Sequence, residues 1–585
     1  MARSLLRRLT VVGAAGLLVS SAGACSGLPQ WAGNAAPTAA SGPPQRGGEL
    51  RVLVAGTISS WDPQLMYVGP ESFFAQRTFV RTLTAYGTGE HQRDLVGDLA
   101  TDAGRPAKGA RQWSFTLRRG VRWQDGTPVT CEDVRHGVAR TFDRTTHIAG
   151  TNYASFLLDI PTEVTAEGLE KPVYAGPSDQ RHQAAFNQAV QCSGSTITFK
   201  LRIAEPDFPH VVALPEFAPR KAASDTKEAK ATYAVASTGP YKLEGAWQPG
   251  HGGTFVRNAN WDPSTDPIRQ ALPDRIRVES GLGQTEVIQR LLNEEGEDTH
   301  AVSWVQASPT LANQAASSPS LRVRTTFPWT GEVDYLALNM RSKVMANPVV
   351  RKAFALATNR ATFVSANGGE GAGAPSWSVL SPVVSPDGVE PPGGSLVQGD
   401  PQGAMKLLAS AGLKPPVRVR VVYAQSLLDD KAYAALQAGW ERGGFEVQLN
   451  PVPPEEYYKM IERANSVSRY DVFRGVWRPD WPSAGAVLPA LFDARINIDS
   501  SGPGQDIGYF SDPSVARTMD QAVATADNAA RARTWEQADD LIRSKGGYVG
   551  LAASKAMYIH GTAVRGYTDH VVGGIVDLAT VGVVP

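Results

Sequence analysis

The segment Trp477-Arg478-Pro479-Asp480-Trp481-Pro482 sets two indoles around a carboxylate, directly after an apolar run from Tyr470 that reads as a strand. An aromatic face beside a carboxylate attracts an ammonium group through the ring quadrupole, charge and hydrogen bonding. Ligands of α/β sheets lodge beyond the carboxyl ends of the strands. Trp477, Arg478, Asp480 and Trp481 are therefore candidate ligand-binding residues. The same residues also fit a proline-rich surface turn whose Asp480 caps a following helix. Local sequence leaves both readings open.

Other chemistry finds little support. The nine histidines are scattered, with neither an HExxH motif nor a pair at ligand spacing, so no metal site is expected. No GxSxG elbow and no CxxC occurs, and no catalytic residue is assigned. Gly369 to Ala374 matches a dinucleotide fingerprint in letters, but it follows a helical pattern where the mechanism needs a strand. No Gly-Lys-Ser/Thr follows a glycine run. No cofactor is expected. Because triads assemble from distant residues, an exported hydrolase is disfavoured only by the lack of motifs.

The elements that must position the tryptophan–aspartate segment alternate along the chain. Trp113 to Arg118 alternates apolar and polar residues as a half-buried strand does. Thr130 and Asp133 then open a helix whose Val134, Val138 and Phe142 share one face. Asn347-Pro348, Asp400-Pro401 and Asp512-Pro513 each combine a capping side chain with proline at the first helical position. The first of these helices carries Val350, Phe354, Ala357 and Ala361 as its apolar stripe. A strand from Val417 to Tyr423, a helix from Leu427 to Arg442, a strand from Phe445 to Leu449 and a helix from Pro454 to Ala464 lead into the strand before Trp477. Strands joined by such crossover helices predict a parallel, doubly wound sheet in a mixed α/β protein. The Gly/Pro-rich run from Gly368 to Gly399 reads as a long loop.

The N-terminus supplies an address. Arg3, Arg7 and Arg8 precede a short apolar stretch and then Ala22-Gly23-Ala24-Cys25, the pattern of a secretory signal. Cys25 resembles the lipidated cysteine of a bacterial lipobox, although Ala22 stands where leucine is usual. Arg7-Arg8 also matches the start of a twin-arginine signal, but the residues after it fit that signal poorly, and the sequence leaves the export route open. Residues 26–46 are rich in Pro, Ala, Gly and Ser, a composition that forms a flexible tether. No later segment has the roughly 18 uninterrupted apolar residues of a membrane span. Basic and acidic residues balance at 57 each, so no net field draws in nucleic acid. Beyond Cys25 only Cys131 and Cys192 remain; in an exported chain they form either one disulfide or two buried thiols.

Phe115 to Val129, including Arg118-Arg119-Gly120-Val121-Arg122-Trp123-Gln124-Asp125-Gly126-Thr127-Pro128, resembles the signature of the extracytoplasmic solute-binding proteins of ABC importers, of the oligopeptide- and dipeptide-binding type (family 5). Ser237 to Tyr241, Val256 to Asp262, Leu338-Asn339 with Val350 to Ala353, Asp506 to Phe510 and Trp535 to Asp540 continue the likeness in order. The resemblance implies a two-lobed periplasmic-binding-protein-like clamp of class II type with an inserted small domain. Residues 1–24 would be the signal peptide and 25–45 the anchor and tether. Lobe I would comprise 46–85, 191–328 and 546–585, the insert 86–190, and lobe II 329–545, with the chain crossings as hinge. It further implies that Asp480, in a Trp-x-x-Asp segment with Trp477, pairs with a peptide's α-amino group, although the flanking prolines depart from the pattern. The expected protein is a monomer held to the outer face of the membrane by lipid on Cys25. It would bind a short peptide or similar small solute and deliver it to an ABC permease. A nickel complex, sugar or haem as ligand, or a degenerate cleft in an adhesin or signalling lipoprotein, are the alternatives. Arg118, Arg122 and Trp123 are read as structural, in a salt-bridged strand and turn.

Overall fold

The computed structural model describes residues 43–584 except 67–68, 144–151, 165–169, 226–231, 235, 309, 312–316, 386–395, 462 and 499–501. The expectations for the signal, the tether and Cys25 lie outside the described residues.

Three sheets organise the chain. The first has the strand order Tyr241–Gln248, Gly252–Arg257, Arg275–Leu282, Glu49–Ala55, Ala301–Ser303. Glu49–Ala55 runs parallel to both of its neighbours, whereas Gly252–Arg257 is antiparallel to the strands on either side. Alternation divides the central strand: Leu50, Val52 and Val54 join Trp61, Phe74, Phe79 and Phe255, while Leu53 turns to Val287 and Leu291.

The second sheet has the order Gly373–Pro375, Tyr548–Lys555, Trp329–Leu338, Val472–Trp477, Val417–Ala424, Phe445–Val452. Helices Leu427–Arg442 and Pro454–Ile461 make the expected crossovers, and both faces are covered by apolar cores. Only Val417–Ala424 with its two neighbours is parallel; Trp329–Leu338 pairs antiparallel on both sides. The doubly wound parallel sheet is thus corrected to a mixed one, because the antiparallel strands arrive from distant parts of the chain.

The third, smaller sheet is antiparallel: Arg105–Ala107, Gln112–Thr116, Thr196–Lys200, Val190–Ser193. Helix Cys131–Arg140 packs on it, opened by the Thr130/Asp133 capping box. Cys131 and Cys192 form a disulfide with their Cα atoms 5.9 Å apart.

Local start signals held. Asn347, Asp400 and Asp512 each accept a backbone N–H at the head of a helix beginning with proline. Ala361 does not share the first of these helices, which ends at Ala357; Asn359 caps a new one, Arg360–Ala366. Among its described residues the loop from Gly368 contains one short strand, Gly373–Pro375, at the sheet edge. Arg118 and Arg122 are structural, but through backbone carbonyls and not salt bridges: Arg118 donates to Asp98 and Gly97, Arg122 to Gly126.

Val190–Ser193 and Thr196–Lys200 both pair within the small sheet. Tyr548–Lys555 is hydrogen-bonded within the second sheet, beside Trp329–Leu338 and Gly373–Pro375. The two chain crossings run side by side: Thr325–Thr326 pairs with Tyr558–Ile559, and Trp329 with Lys555.

Candidate functional site

Strand Val472–Trp477 delivers its last residue to the carboxyl end of the second sheet, opposite Val333. Gly475 is needed there because a Cβ would sit 2.1 Å from Cζ of Tyr335. Trp477 is 8% exposed and packs into the core beneath, at a small recess bounded by Tyr335, Tyr458, Arg474 and Gln505. Its indole N–H is buried without a partner among the described residues.

After Trp477 the chain turns out. Arg478 and Asp480 are exposed, and Trp481 returns to burial. Asp480 does not cap a helix; Ser483 caps the short turn that follows. Asp480 instead accepts a hydrogen bond from the hydroxyl of Tyr153, which lies on the short helix Tyr153–Leu157 of the small domain. Asn152 holds that helix in place by accepting from Ser155 N–H at 2.8 Å. Surrounding protein desolvates Asp480 and raises its carboxyl above the ordinary range, while the Tyr153 hydroxyl and the Arg478 charge pull the other way.

Tyr153 has a second carboxyl at its other end. Its backbone N–H donates to Glu216, whose Oε1 is buried without a partner. Burial, aided by the charge of Asp480, raises Glu216 to about 8.

Trp481 takes a different role from the one read in the sequence. Its N–H donates to Asp207 Oδ2 at 3.2 Å, its ring meets Tyr153 edge-on at 5.2 Å, and it packs into the core of the small domain. With its faces and its donor engaged, it joins the two bodies instead of walling an open site.

Arg474, three residues before Trp477 on the same strand, is engaged by Asp334 and Asp429 at 2.8 and 3.1 Å. Arg478 makes no hydrogen bond or ion pair among the described residues. Glu332, close enough to feel both arginines, is raised chiefly by its burial. Sequence reasoning missed Tyr153, Glu216 and Glu332; none carries a local pattern that separates it from an ordinary surface or core residue.

Among the described residues no group of His, Cys, Asp and Glu is arranged to hold a metal, and no helix is long and apolar enough to cross a membrane.

The sequence profile of the bacterial extracellular solute-binding proteins, family 5 (middle region), matches residues 94–498. The chain belongs to this family. Among curated relatives of this family 5 solute-binding protein is the probable D,D-dipeptide-binding periplasmic protein DdpA of Escherichia coli (strain K12), 22% identical over 485 residues, covering 81% of this chain and 82% of the relative. The solved structure of clavulanic acid biosynthesis oligopeptide binding protein 2 is similar with a TM-score of 0.79 and 28% identity, covering 94% of this chain and 98% of that one. The unliganded open form of the periplasmic murein tripeptide binding protein MppA matches at a TM-score of 0.72 and 19% identity, covering 92% and 97%. These neighbours share the two-lobed α/β clamp, in which the two large sheets described above are the cores of the lobes.

Proposed function

We propose that this family 5 solute-binding protein captures short peptides between its lobes and hands them to an ABC permease, with Asp480 receiving the peptide's α-amino group. The observation that carries this reading is the Tyr153–Asp480 hydrogen bond, which joins side chains 327 residues apart from two different bodies. A carboxylate has roughly four acceptor positions, and Tyr153 uses one, so an ammonium group can add to the same oxygens. Trp477 supplies the adjoining wall. The relatives named for dipeptide, tripeptide and oligopeptide binding support the same substrate class.

Capture follows from differential affinity. A ligand touching Asp480 on one lobe and the small domain on the other stabilises the closed arrangement over the open one, and the crossings at 325–329 and 555–559 are the hinge. In this reading Cys25 carries the lipid, residues 26–45 are the tether, and the monomer works at the outer face of the membrane. The insert spans 86 to about 200, and lobe II takes in the strand to Lys555.

Native mass spectrometry of the intact chain, followed by denaturing analysis of released ligands, tests the proposal. A heterogeneous set of short peptides that is lost in Asp480→Ala is the expected result. A single co-purifying sugar, haem or nickel complex would overturn the peptide assignment.

A further inference from the structure

The crossover helix Pro454–Ile461 is too short to cover the strands it packs on. Eight helical residues span about 12 Å, whereas the eight residues of strand Val417–Ala424 span about 26 Å. Val422 and Ala424 share a core with Tyr457 and Ile461 of that helix. Alternation places Arg418 and Arg420 on the same face nearer the strand's start, where they stand exposed and half-buried. On the neighbouring strand Arg418 lies opposite Glu446, and Arg420 opposite Gln448. This uncovered half of the sheet forms part of a cavity of about 670 Å³, walled also by residues 341–344 and by Val467, Ser468 and Asp471. Small-molecule sites occupy about 300–1,000 Å³.

Four cations line the cavity, and two of them are unpaired. Arg420 donates to Asp471 at 2.9 and 3.1 Å, and Arg418 to Glu446 at 2.8 Å. The exposed side chains of Arg341 and Lys343 make no hydrogen bond or ion pair among the described residues. The Arg341 guanidinium lies over the Tyr509 ring, 4.4 Å from its centroid. Stacking orients the guanidinium and leaves its in-plane N–H groups free to bind an anion. Glu446 and Asp471 are each neutralised by the arginine beside them, so the two free cations set the sign of the site. The same end of the sheet also exposes Lys414, Arg442, Arg463 and Arg469, against Glu441 as the one further acid among the described residues of 414–420, 441–448 and 463–471. Asp471 precedes strand Val472–Trp477, which puts the cavity about 20 Å from the tryptophan–aspartate segment, at the opposite end of the sheet.

We propose that this cavity is a second binding site, separate from the cleft, for a phosphate ester. Its cations come from two segments, the turn after Leu338 and strand Val417–Ala424. A tetrahedral phosphate presents oxygens to donors arriving from several directions, whereas a planar carboxylate matches a single guanidinium fork. The volume leaves room for the alcohol that the phosphate esterifies, with the Gln448 amide and the Ser468 hydroxyl in the cavity wall as its hydrogen-bonding partners.

Isothermal titration of the full chain in non-ionic detergent tests the site. The probes are sn-glycerol 3-phosphate, glycerol, a pentaglutamate peptide and dihexanoyl phosphatidylglycerol. Saturable binding of glycerol 3-phosphate is expected, at least tenfold tighter than glycerol or pentaglutamate. The double variant Arg341→Met/Lys343→Met should weaken it at least tenfold, with thermal unfolding and any ligand retained by the cleft as in wild type. If that variant unfolds, Lys343→Met alone carries the comparison, since its side chain is exposed and unpaired. Tighter binding of the lipid than of glycerol 3-phosphate supports the site and identifies a lipid headgroup as its source; the reverse order supports it with a soluble ester. Pentaglutamate binding as tightly as glycerol 3-phosphate overturns the proposal in favour of an acidic protein segment. Absence of saturable binding, or binding unchanged in the folded variants, also overturns it.

Discussion

Replacing Cys131 and Cys192 together by alanine is expected to loosen the small domain selectively and to weaken ligand capture through it. The disulfide joins helix Cys131–Arg140 to strand Val190–Ser193 and closes a loop of sequence separation 61. For a loop of that length the chain-entropy argument gives about 4 kcal/mol of stabilisation, taken as an upper value because residual structure in the unfolded chain offsets part of it. Both cysteines lie in the same body, so the loss should be local. Tyr153 sits within the closed loop, which couples the bridge to Asp480. The assay is hydrogen exchange with urea titration on oxidised wild type, wild type with reductant, and the double variant. Faster exchange is expected in Gln112–Thr116, Val190–Ser193 and Thr196–Lys200, with Val417–Ala424 and Phe445–Val452 unchanged. Reductant should reproduce the variant's behaviour and leave the variant itself unaffected. A loss below about 1 kcal/mol, or a loss spread evenly over both large sheets, would refute the assignment of the bridge to an independently loosening unit.

Further outcomes follow from individual contacts. Peptide binding should weaken as pH falls, because the ammonium needs an ionised Asp480 and desolvation by the surrounding protein holds that carboxyl above the ordinary range. The affinity is full above the raised pKa and declines about tenfold per unit below it, and isothermal titration across pH checks this; an affinity flat down to the ordinary aspartate range contradicts it. Gly137→Ala should destabilise despite a helix-propensity gain of about 1 kcal/mol, since its Cβ would meet Ala218 O at 2.1 Å and the forced shift costs about 1–3 kcal/mol; a raised melting temperature would contradict the close approach. Arg269→Met should cost about 3–5 kcal/mol, because it strips the buried carboxylates of Asp98 and Asp266 of partners at 2.9 and 3.1 Å. Chemical denaturation measures that loss, and a cost under about 1 kcal/mol would mean that Arg81 alone satisfies both acids.

Much of the secondary structure was legible because it is decided within a few residues. Thr130 and Asp133 satisfy each other's backbone, Asn347, Asp400 and Asp512 cap helices that proline has pre-set, and Leu427 to Arg442 runs the length its apolar spacing implies. The pairing of cysteines in an exported chain was legible for a chemical reason, the redox compartment. Strand neighbours were not. Nothing within Tyr548–Lys555 distinguishes an edge of lobe I from a place beside Trp329–Leu338, since its apolar residues fit either core. Parallel and antiparallel pairing likewise use the same alternation of side chains.

The tryptophan–aspartate segment divides along the same line. Its residue types and its place at the end of a strand determined that an ammonium-binding site could exist there. Only the tertiary structure separated its members. It gave Trp481 to the contact with Asp207 and Tyr153, left Arg478 unpaired between Gly331 and Gly574, and brought Tyr153 to Asp480. The physical reason is range: caps, turns and pleats are settled by neighbours along the chain, whereas desolvation and charge pairing depend on which distant segments close over a side chain, and that follows from how whole sheets pack.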